Sequence, residues 1–116
     1  MKFKDFPVYK DGKLAVTLLF RATRKFPREF HYLSDQMNRA GLSIVLNIAE
    51  GSAKSSNKDF KRFLQNSLGS ATETTAALEI AKDFGLVEEQ QYREIVTLLE
   101  KVIKQLGGFT KFLDKN

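Results

Sequence analysis

The chain of 116 residues has no cysteine, no tryptophan, two prolines and one histidine. Without cysteine there is no disulfide, no thiolate metal ligand and no thiol nucleophile. One histidine among scattered carboxylates shows no ligand spacing, so neither a metal nor a cofactor is expected. No run of about 18 apolar residues exists, so no membrane span is expected. Met1-Lys2-Phe3-Lys4-Asp5 leads into no long apolar stretch, so no secretory leader is expected and the cytoplasm is the expected compartment. Strand-like alternation is absent except in very short windows, and there is no internal repeat or low-complexity tract.

What is present is helical patterning. The length suits one domain over 1–116, and 42% hydrophobic with 28% charged residues is the balance of a folded chain. Pro7 suits a first helical turn, and Ala15, Leu18, Leu19, Ala22 and Phe26 then recur at helical spacing, so a first helix is expected over about 8–26, ended by Pro27. A second is expected over about 30–50, with Gly51 as a left-handed C-cap. Ser56-x-x-Asp59 reads as a capping box opening a third, over about 57–84, which Gly85 closes. A fourth follows over about 88–114, opening on Glu88-Glu89, with Gly107-Gly108 expected to kink or fray its last turns. Four helices with short joints predict an all-α, antiparallel up-down-up-down four-helix bundle.

The second helix carries the most informative pattern. Gln36, Arg39, Ser43, Asn47 and Glu50 are spaced three, four, four and three apart, one polar stripe on an otherwise apolar helix. Such a helix is expected to be buried on most sides, and its stripe to form a buried network with Ser70 and Glu73, in which Arg39 takes a carboxylate partner from Glu50 or Glu73. A ligand pocket between the second and third helices is the less favoured reading of the same residues. Leu42, Val45, Leu46 and Ala49 point away from the stripe in several directions, more apolar surface than one bundle covers, which predicts self-association.

The run Gln36-x-x-Arg39-Ala40-x-x-Ser43-Ile44-x-x-Asn47-Ile48-Ala49-Glu50-Gly51, continued by Asp59-Phe60-x-Arg62-Phe63-Leu64 and Gly69-Ser70, resembles the bacterial four-helix bundle proteins encoded by intervening sequences in large-subunit rRNA genes. Phe6-x-Val8-Tyr9 and Lys25-Phe26-Pro27 extend the resemblance to nearly the whole chain. Tyr9, where that family usually has Trp, and His31-Tyr32 depart from it. The resemblance implies a homo-oligomer, pentameric where family assemblies are known, and a link to ribosomal RNA genes. It implies no assigned biochemical role.

Charge supplies the remaining signal. Residues 1–62 hold thirteen Lys or Arg and six Asp or Glu, a net of +7, whereas residues 63–116 net −2. Arg21, Arg24, Lys25 and Arg28 form one basic group, and Lys54, Lys58, Lys61 and Arg62 another. Together they are the expected contacts for an RNA or DNA backbone, with shape rather than sequence being read. A solvated face, or a protein partner in place of nucleic acid, is the rival reading. Arg24 and His31, seven residues apart, are reminiscent of a helical ribonuclease pair, but the flanking residues are not, and no enzyme is expected.

Overall fold

The computed structural model describes residues 2–115. A short 3-10 turn, Phe3–Asp5, precedes four helices: α1 over Pro7–Thr23, α2 over His31–Ser52, α3 over Asn57–Asp83 and α4 over Glu89–Lys115. A second 3-10 turn, Arg28–Phe30, lies between α1 and α2. No strand occurs among the described residues. The bundle measures 46 × 21 × 20 Å.

Side-chain pairs establish the antiparallel order. Thr23 meets Asn38 and Gly12 faces Val45, so α1 and α2 run oppositely. Gln36 reaches Glu73 while Ser67 Oγ donates to the Ile44 carbonyl at 2.8 Å, which reverses α3 against α2. Lys61 pairs with Asp114 and Lys82 with Glu89, reversing α4 against α3. Asp11 meets Gln105 and Phe6 meets Phe109, closing α4 back onto α1. The seam is filled by Leu19, Met37, Ile44, Ile48, Leu64, Leu78, Ile95, Leu99, Val102 and Leu106, all essentially inaccessible to solvent. These residues recur at helical spacing, so each helix presents one apolar face to the others.

Three boundaries differ from expectation, each for a local reason. The first helix stops at Thr23 rather than Phe26. Pro27 drives the residue before it out of helical geometry, and the tightening spreads backwards, with Lys25 and Phe26 donating to carbonyls three residues earlier. Gly51 is not a cap. It lies inside α2 without positive φ, and a Cβ there would fall 2.6 Å from Phe63 Cβ. Its role is to let α2 and α3 approach. Gly107 and Gly108 do not fray α4, which is helical through Lys115. The expected closures at the other joints are present: Ser56 Oγ accepts from the Asp59 amide at 3.1 Å, and Gly85 takes φ +78° after α3, the left-handed geometry that glycine adopts without strain.

Candidate nucleic-acid interface

The antiparallel order decides which charges meet. The N-terminal turn, the joint at residues 53–56 and the last turns of α4 lie at one end of the bundle. The joints at 24–30 and 84–88 lie at the other. Dividing the four helices at their midpoints gives a first end of residues 2–14, 42–69 and 103–115, with eleven Lys or Arg against five Asp or Glu, a net of +6. The second end, residues 15–41 and 70–102, holds eight against nine, a net of −1. The imbalance between the sequence halves is therefore gathered at one pole.

The two basic groups expected to act together fall on opposite poles. Arg21, Arg24, Lys25 and Arg28 crown the charge-balanced end, all exposed, with Glu29, Asp83, Glu88, Glu89 and Glu94 assigned to the same end. Arg24 lies 5.9 Å from the centre of the Phe20 ring. Arg21 shares a shallow depression with Glu94 and Gln91. A single chain thus offers no continuous surface through both groups, because the 22 residues of α2, about 33 Å of helix, separate them.

Lys54, Lys58, Lys61 and Arg62 stand at the basic end, where the turn into α3 exposes all but Lys61. Lys54 Nζ and Arg62 Cζ lie 5.0 and 4.7 Å from the centre of the Phe63 ring, so the electron-rich ring holds both cations. Arg62 is also 3.9 Å from Asp59. Lys61 is half-buried and bound to Asp114 at 2.7 Å, which ties α3 to α4 and occupies its charge. Among the described residues Lys54 and Lys58 have no carboxylate within 4.0 Å. Seven further lysines of this end escaped the sequence reading as site residues: Lys2, Lys4, Lys10, Lys13, Lys104, Lys111 and Lys115 are all exposed here. They are spread thinly along the chain. Only the folding of both chain ends beside the 53–56 joint assembles them.

The polar stripe of α2 faces α3, as its spacing implies, but it is not buried within the chain. Gln36, Arg39, Glu50 and Glu73 are exposed, and Ser43, Asn47 and Ser70 half-buried. Gln36 Nε2 donates to Glu73, Ser70 Oγ to Ser43 Oγ at 2.8 Å, and Asn47 Nδ2 to Ser43 Oγ at 2.9 Å. Arg39 has no carboxylate within 4.0 Å among the described residues, and Glu50 no cation. The expected buried guanidinium is corrected to a free one beside Asp35, Asn38 and Leu42. Short side chains on α3 hold the network near the helix seam, and long charged ones reach water. Beside the stripe, Leu42 and Leu46 are about half exposed, and Leu42 with Val16 and Phe20 lines an apolar groove between α1 and α2.

His31 opens α2 and is exposed. No hydrogen bond or ion pair joins it to Arg24 among the described residues. No group of three or more His, Asp or Glu among them is placed to hold a metal. No helix among them is long and apolar enough to cross a membrane.

The family described as 23S rRNA-intervening sequence protein matches the chain over residues 4–108. A solved structure from Bacteroides thetaiotaomicron, a protein of unknown function from the S23 ribosomal protein family, superposes with a TM-score of 0.84 at 26% identity, over 96% of this chain and 99% of that one. No curated protein matches the chain.

Proposed function

The chain belongs to the 23S rRNA-intervening sequence protein family, and from that footing we propose that it is a non-enzymatic, self-associating protein that binds the phosphate backbone of RNA or DNA through its basic end. The observation that carries the reading is the sorting of charge, +6 at one pole against −1 at the other. A pole of unpaired lysines attracts a polyanion, and each neutralised phosphate releases a condensed counterion. Lys54, Lys58 and Arg62 lead the contact, joined by the lysines of both chain ends. Arg21, Arg24, Lys25 and Arg28 are secondary, because acidic neighbours at the same end offset their field.

Self-association rests on a separate observation. Phe20, Leu42 and Leu46 are 49–55% exposed, and Arg39 and Glu50 stand unpaired beside them. A second copy laid along α2 covers the leucines and offers each charge an opposite one. The resemblance implies a pentamer. Each copy then contributes one basic pole, and weak contacts add through multivalency. Light scattering at micromolar concentration tests this, and a mass equal to one chain overturns it.

Binding is tested by titrating a labelled oligonucleotide at several salt concentrations. The expected result is a logarithm of affinity that falls linearly with the logarithm of salt, with little dependence on sequence. Absence of binding at low salt overturns the reading in favour of a protein partner. Cleavage of RNA that disappears in His31→Ala overturns the non-enzymatic part.

A further inference from the structure

The outer edge of α2 carries a seam that the bundle leaves open. Asp35, Arg39, Leu42, Leu46, Ala49 and Ala53 follow at alternating steps of four and three, the spacing of a helix that packs along other helices. Ala49 is half-buried and the other five are exposed. Two leucines at the centre of a stripe that faces water are the mark of a contact not made within the chain.

A second opening lies on another side of the bundle. Leu14, Leu18 and Leu98 floor a groove between α1 and α4, edged by Thr97, Arg93 and Glu94. Leu14 is about half exposed. Lys10, one turn before Leu14 on α1, and Lys104, seven residues after Thr97 on α4, continue the groove toward the basic pole. Among the described residues Glu94 has no cation within 4.0 Å, and Lys10 and Lys104 have no carboxylate. Asp11 in this stretch is engaged by Lys101 and Gln105.

Contacts within the chain fix how seam and groove are levelled along the bundle. Gly41 faces Leu19, so Arg39 is level with Arg21, which shares a depression with Glu94. Gly12 faces Val45, so Leu42 and Leu46 bracket the level of Leu14, which lies in the groove with Leu98. Asp11 meets Gln105, which sets Lys104 level with Lys10, and Glu50 falls within a turn of both. Asn38 bonds Thr23, so Asp35 comes within a turn of Arg21 and Arg24. A copy placed beside another in the same orientation therefore sets Arg39 against Glu94, the two leucines against Leu14 and Leu98, and Glu50 against Lys10 and Lys104. An antiparallel pairing of two α2 helices about a twofold axis also brings Arg39 to Glu50, but it leaves the Leu14 groove open on both copies.

We infer that α2 of one copy seats in the α1–α4 groove of the next, a head-to-tail contact between two unlike surfaces. The inference rests on the reading of this chain as self-associating and names the faces that meet. Seam and groove lie on sides of the bundle that are neither the same nor opposite, so each added copy turns by a constant angle and the series closes into a ring. Every copy keeps one orientation, so all the basic poles gather on one face of that ring.

The chain has no cysteine, so introduced thiols report the contact without background. Leu42→Cys and Thr97→Cys, mixed and oxidised, are expected to give a disulfide-linked pair, and each variant alone none. A chain carrying both substitutions is expected to give a ladder whose top rung counts the copies in the ring. Arg39→Glu is expected to raise the concentration for half-assembly at least about tenfold in light scattering, and Glu94→Arg added to it to restore assembly. All four positions are at the surface, and circular dichroism checks that each variant keeps its helices. A disulfide in Leu42→Cys alone, or rescue of Arg39→Glu by Glu50→Arg and not by Glu94→Arg, assigns the seam to a twofold contact and overturns the head-to-tail one. An oligomeric wild type with no linked pair in the mixture overturns it too, while self-association stands. A wild type of single-chain mass removes both.

Discussion

The two poles of the bundle are built from the same four helices and a similar number of charges, yet they treat those charges differently. At the pole of the 84–88 joint, Glu89 accepts from Arg93 at 2.8 Å and lies 3.1 Å from Lys82, which itself stands 4.5 Å from the Tyr92 ring centre. Charge there is spent on joining α3 to α4. At the pole of the 53–56 joint, among the described residues, Lys61 alone makes such a link, and Lys54, Lys58 and the lysines of both chain ends face water. The lesson is that net charge alone says little about a basic surface. What matters is how much of it is left unpaired, since an internal partner competes with any phosphate.

The largest expected effect tests the packing beneath the basic pole. Gly51→Ala places a methyl group against Phe63 Cβ, on the ring that holds Lys54 and Arg62. Overpacking of this kind costs about 1–3 kcal/mol, and the melting temperature should fall by roughly 4–10 °C. An unchanged melting temperature would show that α2 and α3 have room there. Next comes the charge itself. Lys58→Glu with Arg62→Glu should weaken oligonucleotide binding on the order of tenfold or more and flatten its salt dependence by about one unit per lost phosphate. Arg24→Glu with Lys25→Glu, at the other pole, should change it by no more than about threefold. Equal losses from both pairs would break the distinction between the poles and leave net charge as the whole cause.

A smaller effect is expected at Gly85, the joint of the balanced pole. Gly85→Ala meets no neighbour but must adopt φ +78°, at a cost of about 1–2 kcal/mol. Thermal melting should show the loss while oligonucleotide affinity stays put, sharpening the separation of stability from binding. The smallest effect concerns Glu89. The hydrogen bond from Arg93, then that from Lys82, holds its carboxyl below the usual glutamate value of 4.5. A lowered folded value means that this pairing stabilises fully above the unfolded value and is lost as pH falls through the folded one. Glu89→Gln should therefore melt slightly below wild type at pH 7, with the gap closing as acidification passes below the ordinary glutamate value of 4.5 and through the lowered folded one. Because the group is exposed, salt should narrow the gap as well.

Local patterns in the chain were enough for its scaffold. The apolar spacing of α3 and α4, Ser56 before α3, Gly85 after it and the two prolines each act within a turn or two, so they can be read without knowing what lies opposite. The stripe Gln36, Arg39, Ser43, Asn47, Glu50 was likewise legible as one face of a helix, and its partners Ser70 and Glu73 do stand across from it. Its exposure was not legible, because a short-range pattern does not tell whether the opposing helix covers the tips of long side chains. Gly51 misled for a related reason. Glycine at the end of a helical run signals a left-handed cap by local rules, whereas here the need for glycine comes from Phe63 on another helix. Above all, the grouping of Arg24 with Lys58 looked natural along the chain and dissolved in space. Antiparallel helices bring sequence-distant segments to the same pole and send nearer ones to opposite poles. The periodicity of the residues determined that there would be four helices and which faces they would bury. Only the packing of those helices decided which charges stand together unpaired at one pole.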